Sequence, residues 1–287
     1  MKMKYYNQFL FAIIVILCSL FIKNSYSISV STKDADYDYN KDVSNADNEI
    51  YNSIEEKNNN QLRIEIEEKY GIKIYYGNEL KKYSVLNKVP ISLSDPNDIK
   101  HYLLSLDEEL KKYPTDFFRE TNSYNMFLSI YLIEDFPDTD VLGYTDYKRP
   151  HNTIIIVKCD SSFANTLNHE IMHFIDHYIN FKDSTNDVRY TWKKLNPKNY
   201  SYGTNEKSYV FSETHSKYSF FLNNYAQTSF LEDRAVLFGD IMSNSVGSDC
   251  YIYGTPLYKK MELLTVQIDY YFDCVDFTSL PYWSRFL

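Results

Sequence analysis

A β-branched run, NTIIIVKCD (152–160), leads directly into a stretch where Ala164, Leu167, Ile171, Phe174, Ile175 and Tyr178 recur at spacings of three and four. The first pattern predicts a strand and the second a helix with one apolar face. A strand that feeds such a helix forces the helix to lay its apolar stripe on a sheet, so a purely helical or purely β fold is excluded.

The surrounding chain fills in that plan. LRIEIEEKY (62–70) suits a short helix, GIKIYYG (71–77) alternates like a half-buried strand, and MFLSIYLIE (126–134) reads as another strand. SDPNDIKHYLLSLDEELKKYP carries a cap at Ser94 or Asp95 and Pro96 in the first turn. Ile99, Leu103, Leu106 and Leu110 lie on one face, and Pro114 ends it. GYTDYKRPHN (143–152) has the chemistry of a connecting loop. Two more helices are predicted over about 229–243 and 257–272, the second with Leu257, Met261, Leu264, Ile268 and Phe272 on one face. Strands precede the long helix and helices follow it, which argues for one α+β domain over residues 61–287.

The N-terminus reads as an export signal. Residues 1–27 have Lys2 and Lys4, an apolar core from about Phe9 to Ile22, and Ser25 and Ser27 at signal-peptidase spacing. That core is short for a membrane span; an uncleaved anchor is the alternative. Residues 28–60 hold eight acids, three lysines and no apolar periodicity, as expected of a solvated spacer or pro-segment. Loss of residues 1–27 removes three lysines and no acids, taking the net charge from −9 to −12. With that charge and no basic block, nucleic acid is not an expected partner. Cys159, Cys250 and Cys274 remain, too few for a disulfide scaffold; free thiols are expected rather than a Cys250–Cys274 bridge.

The predicted long helix contains HEIMH. Its His169 and His173 lie one turn apart on the same side and can both reach one metal at about 2.0–2.1 Å, zinc being the usual occupant. Glu170 points beside such a metal, where it can take a proton from a water that the metal acidifies to a pKa of about 7. The competing reading is a surface helix with two functionally silent histidines. Catalytic zinc needs a third protein ligand and an open fourth position. The metzincin pattern is ruled out, because residue 179 is Ile and residue 176 is Asp. His177 falls on another side of the helix, and His215 has no supporting pattern. Three downstream carboxylates remain: Glu206, Glu213 and Glu232. Ser229 and Glu232 also form a capping box, so spacing alone leaves Glu232 open between ligand and cap.

HEIMHFIDHY together with YAQTSFLEDRAVLF (225–238) resembles the anthrax-lethal-factor-like group of secreted zinc metallopeptidases, which are gluzincins. The resemblance is specific over 166–178 and 225–238, and WKKLNPKNYSYG (192–203) is also similar to a stretch of exported bacterial relatives. It implies a zincin-like metallopeptidase domain: a mixed sheet, an edge strand before the active-site helix, and a helical C-terminal half. It also implies that Glu232 is the third ligand to one Zn2+ and that Tyr225, seven residues earlier, donates to the developing oxyanion. One departure stands out: the group has a second Glu four residues after the ligand, where this chain has Val236. Asp176 is open between orienting an imidazole and pairing with Arg234.

The expectation is therefore a secreted zinc endopeptidase with Glu170 as general base and acid. Its substrate, a protein or peptide, would lie along the edge strand, taken to be residues 152–160. Membrane association is not expected after signal cleavage. The alternatives are an exported non-catalytic binding protein that keeps this scaffold, and an aspzincin-type enzyme suggested by YGTNEKSY, where Glu206 occupies the position of a wanted Asp.

Overall fold

The sheet is explained best from its middle. In the computed structural model, NTIIIVK forms strand β5 (Asn152–Lys158), whose five central residues are all buried. Ile155 and Val157 point into the main core, and Ile154 and Ile156 into a smaller cluster with Leu80, Ile133 and Phe136. An unbroken apolar run is what a strand covered on both faces requires.

The structure describes residues 58–82, 89–149, 152–184, 188–204, 206–212, 218–245, 250–275 and 280–287. The signal segment 1–27, the spacer up to residue 57, Glu213 and His215 lie outside the described residues. Asn58–Leu287 forms one compact unit. Helix α1 (Asn59–Tyr70) opens three residues earlier than expected, because the Asn58 side chain accepts from the Gln61 N–H. β1 (Lys73–Tyr75) and the short β2 (Ile91–Ser92) follow, then α2 (Pro96–Leu110), capped by Asp95, and α3 (Phe117–Ser123). Next come β3 (Phe127–Asp135), β4 (Gly143–Arg149) and β5, then α4 (Phe163–Lys182) and α5 (Val188–Lys193). α6 (Phe230–Ser243) and α7 (Pro256–Tyr271) complete the order.

The five-stranded sheet runs β1-β3-β5-β4, with β2 added antiparallel to β3. β1, β3 and β5 are parallel, and β4 is antiparallel to β5. The molecule is thus mixed α/β with an open, mixed sheet, and its described C-terminal part is helical. No described helix is long and apolar enough to cross a membrane. Cys159, Cys250 and Cys274 are free thiols, so no Cys250–Cys274 bridge forms.

Two expectations are corrected. Residues 152–160 are not an edge: β5 lies between β3 and β4. The edge is β4, the segment expected to be a loop. Its Gly, Asp, Lys and Arg lower β-propensity, but pairing with β5 holds it extended. Its alternate residues pack two ways. Tyr144 lies against the small cluster, while Gly143 and Thr145 face α4.

Candidate metal centre

His169 and His173 project from the middle of α4, whose opposite face is buried through Leu167, Ile171, Phe174, Ile175 and Tyr178. Their rings are nearly perpendicular, with centroids 4.9 Å apart. Glu232 enters from the first turn of α6. Ser229 caps that helix by accepting from the Glu232 N–H at 3.1 Å, which leaves the Glu232 carboxylate free to turn toward the histidines. Its Oε2 lies 3.0 Å from His169 Nε2 and 3.5 Å from His173 Nε2. The Glu232 side chain makes no capping bond: only its N–H serves the cap, through Ser229, and its carboxylate faces the imidazoles.

Does this group suit a cation? One ligand atom from each residue lies within 4.8 Å of the others. Tetrahedral zinc ligands are about 3.3 Å apart at the usual bond lengths. Glu232 Oε2 is shielded from solvent yet makes no hydrogen bond despite its short distances to both rings. A buried carboxylate oxygen without a donor is costly, and two imidazole nitrogens and that oxygen aimed at one point are the donor set zinc takes. The residues fit a metal ion. Among the described residues no other group of His, Cys, Asp or Glu gathers in this way.

The three groups are also strongly coupled electrostatically, and a metal would have to displace any proton held by an imidazole. Burial would raise the Glu232 carboxyl, but His169 and His173 outweigh it and hold it well below the usual carboxylate range. Burial opposes protonation of His173, yet Glu232 and Glu170 raise its pKa. Glu170 is 5% exposed, and burial pushes its pKa up against the pull of both histidines and Thr145.

The remaining site residues divide. Tyr225 sits in a short 3-10 turn (Tyr225–Gln227) just before α6, with its ring centroid 5.9 Å from that of His169. Tyr225 is half exposed; its partial burial, with Glu232 and Glu170 nearby, pushes its pKa up to about 12. Asp176 is engaged elsewhere: Arg234 Nε donates to its oxygens at 2.9 and 3.1 Å. His177 leaves the cluster as expected, placing Nδ1 3.4 Å from Thr153 Oγ1 and its ring against Tyr147. Glu206 accepts from Ser208 and takes no part. Val236 is nearly buried and lines the cleft on the His169 side.

Arg234 pairs with Asp176, one of the two readings the sequence left open, but several other supporting residues escaped it. Asp233 and Arg234, the two residues after Glu232, are both buried and both paired. Asp233 Oδ2 accepts from Trp192 Nε1, Tyr202 Oη and Lys260 Nζ, each at 2.7 Å. Arg234 reaches Asp176 on α4 and Gln267 Oε1 on α7, at 2.7 Å from the latter. The first turn of α6 is therefore tied to α4, α5 and α7 beside the carboxylate it presents. Trp192 and Tyr202 both belong to the aromatic 192–203 segment. Thr145 and Gly143 were also missed, since their strand reads as a loop.

The cluster opens into a cavity of about 260 Å³ lined by Gly143, Thr145, His169, Glu170, Tyr225 and Glu232. On either side are larger hollows: about 450 Å³ beside Tyr147, His177 and Phe230, and about 910 Å³ beside Leu142, Asn165 and Val236. Together they form a cleft along β4. Comparison of the chain with protein-family models, curated proteins and solved structures gave no match.

Proposed function

We propose that the chain is an exported, zinc-dependent endopeptidase of the gluzincin type, a zincin-like fold akin to the anthrax-lethal-factor-like group. The observation that carries this reading is the convergence of His169 Nε2, His173 Nε2 and Glu232 Oε2 next to a buried Glu170, in a cleft under an edge strand.

His169, His173 and Glu232 would hold the metal. When bound, zinc supplies a Lewis acid that makes water nucleophilic near neutral pH. Glu170 takes the proton of the attacking water and later delivers it to the leaving amine. Tyr225 donates its phenolic hydrogen bond to the oxygen that gains charge as the carbonyl becomes tetrahedral. A peptide added antiparallel to β4 would place its N-terminal side in the hollow by Tyr147 and its C-terminal side in the hollow by Gly143 and Asn165. Extended peptides satisfy such an edge without sequence-specific contacts, so the hollows would supply the selectivity.

Val236 favours a second reading, a zinc-binding scaffold without catalysis, because it removes a carboxylate that the resembled group keeps. Glu170→Gln separates the two. In an endopeptidase it abolishes cleavage while zinc stays near one equivalent. A wild-type chain that binds zinc and cleaves nothing in a broad peptide library would instead establish the scaffold.

A further inference from the structure

Thr145 and Gly143 stand two apart on β4, so both side-chain positions face α4. Thr145 Oγ1 lies 2.5 Å from Glu170 Oε2, the length of a strong hydrogen bond to an ionised acceptor. At Gly143, an added Cβ would fall 2.6 Å from Glu170 Oε1, 2.9 Å from its Cγ and 2.7 Å from Thr166 Cγ2. The strand backbone is thus closed down on the carboxylate. One oxygen meets a hydroxyl, and the other lies under a residue with no side chain.

We infer that β4 is a clamp for Glu170, in which Thr145 is a positioning residue for the proton-transferring carboxylate and Gly143 is the gap that lets the strand reach it. A glutamate has three side-chain torsions, and a proton-transfer group has to stay within about 0.5 Å of its working place. The Oγ–H bond to Oε2 removes that freedom from outside the helix. The clamp also explains why a glycine, poor in β-propensity, opens the edge strand: any side chain at 143 would collide with Glu170 and Thr166. The catalytic consequence rests on the peptidase reading above; the contact itself does not.

Two variants test it. Thr145→Val keeps the shape and removes the hydroxyl, whereas Thr145→Ser keeps the hydroxyl. If the clamp positions Glu170, Thr145→Val lowers kcat by about 10- to 100-fold with KM within about threefold, and Thr145→Ser restores most of the rate. The second readout needs no activity: thermal unfolding of Thr145→Val in the wild-type and in the Glu170→Met background. Thr145→Val should lower Tm by about 3 °C in the first and by clearly less, about 1 °C, in the second, where the carboxylate is gone and only the longer contact to the residue-170 carbonyl, at 3.3 Å, is left. Equal losses in both backgrounds, or a kcat unmoved by Thr145→Val, overturn the clamp. A wild-type protein that cuts no peptide, with the unequal Tm losses intact, sinks the peptidase reading and leaves the clamp standing.

Discussion

Gly239 of α6 lies directly against His169 of α4: a Cβ at Gly239 would sit 3.3 Å from the His169 Cβ and 2.9 Å from the Asn165 carbonyl oxygen. The two helices that carry His169, His173 and Glu232 cross where one of them lacks a side chain. In a helix interior Ala is otherwise favoured over Gly by about 1 kcal/mol. Overpacking costs about 1–3 kcal/mol, so the clash wins. Gly239→Ala should therefore lower stability by up to about 2 kcal/mol and weaken zinc binding by about tenfold or more, because Glu232 is carried away from His169. Urea unfolding and chelator competition measure the two effects. A variant more stable than wild type with unchanged zinc affinity would show that the helices have room to spare.

Lys260 is fully buried and shares Asp233 Oδ2 with Trp192 and Tyr202. Breaking a buried pair by removing one partner costs about 3–5 kcal/mol. Two neutral donors remain on Asp233, so Lys260→Met should fall near the lower end. Asp233 adjoins Glu232, and the loss should also show as weaker zinc retention under mild urea. A change below about 1 kcal/mol would mean that Trp192 and Tyr202 alone suffice to satisfy the carboxylate.

Asp269 provides the pH test. Burial raises its pKa to about 6, against the lowering effect of the Trp283 indole N–H at 3.2 Å. The folded state then binds the proton more tightly than the unfolded chain, whose Asp titrates near 3.8. This residue's stabilisation is complete below pH 3.8 and is lost as pH rises through about 6. Asp269→Asn should leave stability at pH 4 nearly unchanged and raise it at pH 8 by roughly 3 kcal/mol at most. Unfolding curves at the two pH values decide the matter; an equal effect at both would remove Asp269 as a source of pH dependence.

Five of the seven described α-helices are legible in the sequence because each carries its own signals, whereas α3 and α5, of seven and six residues, are too short to show a periodicity. α6 has its Ser229 cap, α7 has Thr255 ahead of Pro256, and α4 has the three-and-four spacing of its apolar face. The His169–His173 pair is visible for the same local reason. β5 is recognisable as a strand, but its position is not: an unbroken Ile-Ile-Ile-Val run is the mark of a covered strand, and it was placed at the edge. β4 is hidden because its extended form comes from pairing with β5 and from contact with Glu170, neither of which leaves a periodicity in GYTDYKR. Asp176 has its partner 58 residues away in Arg234, and Asp233 has Lys260 27 residues away. Those distances lie beyond any local pattern, so a ligand-orienting role and an ion pair could not be separated from spacing alone.

The central claim is a metal held by two imidazoles and one carboxylate, and it is tested most directly by metal content together with X-ray absorption at the zinc edge. Purified protein should contain one equivalent of zinc with two nitrogen ligands and one carboxylate oxygen at about 2.0–2.2 Å, and Glu232→Ala should lose most of it. Full zinc retention by Glu232→Ala, or a wild-type chain that takes up no zinc, would contradict the account.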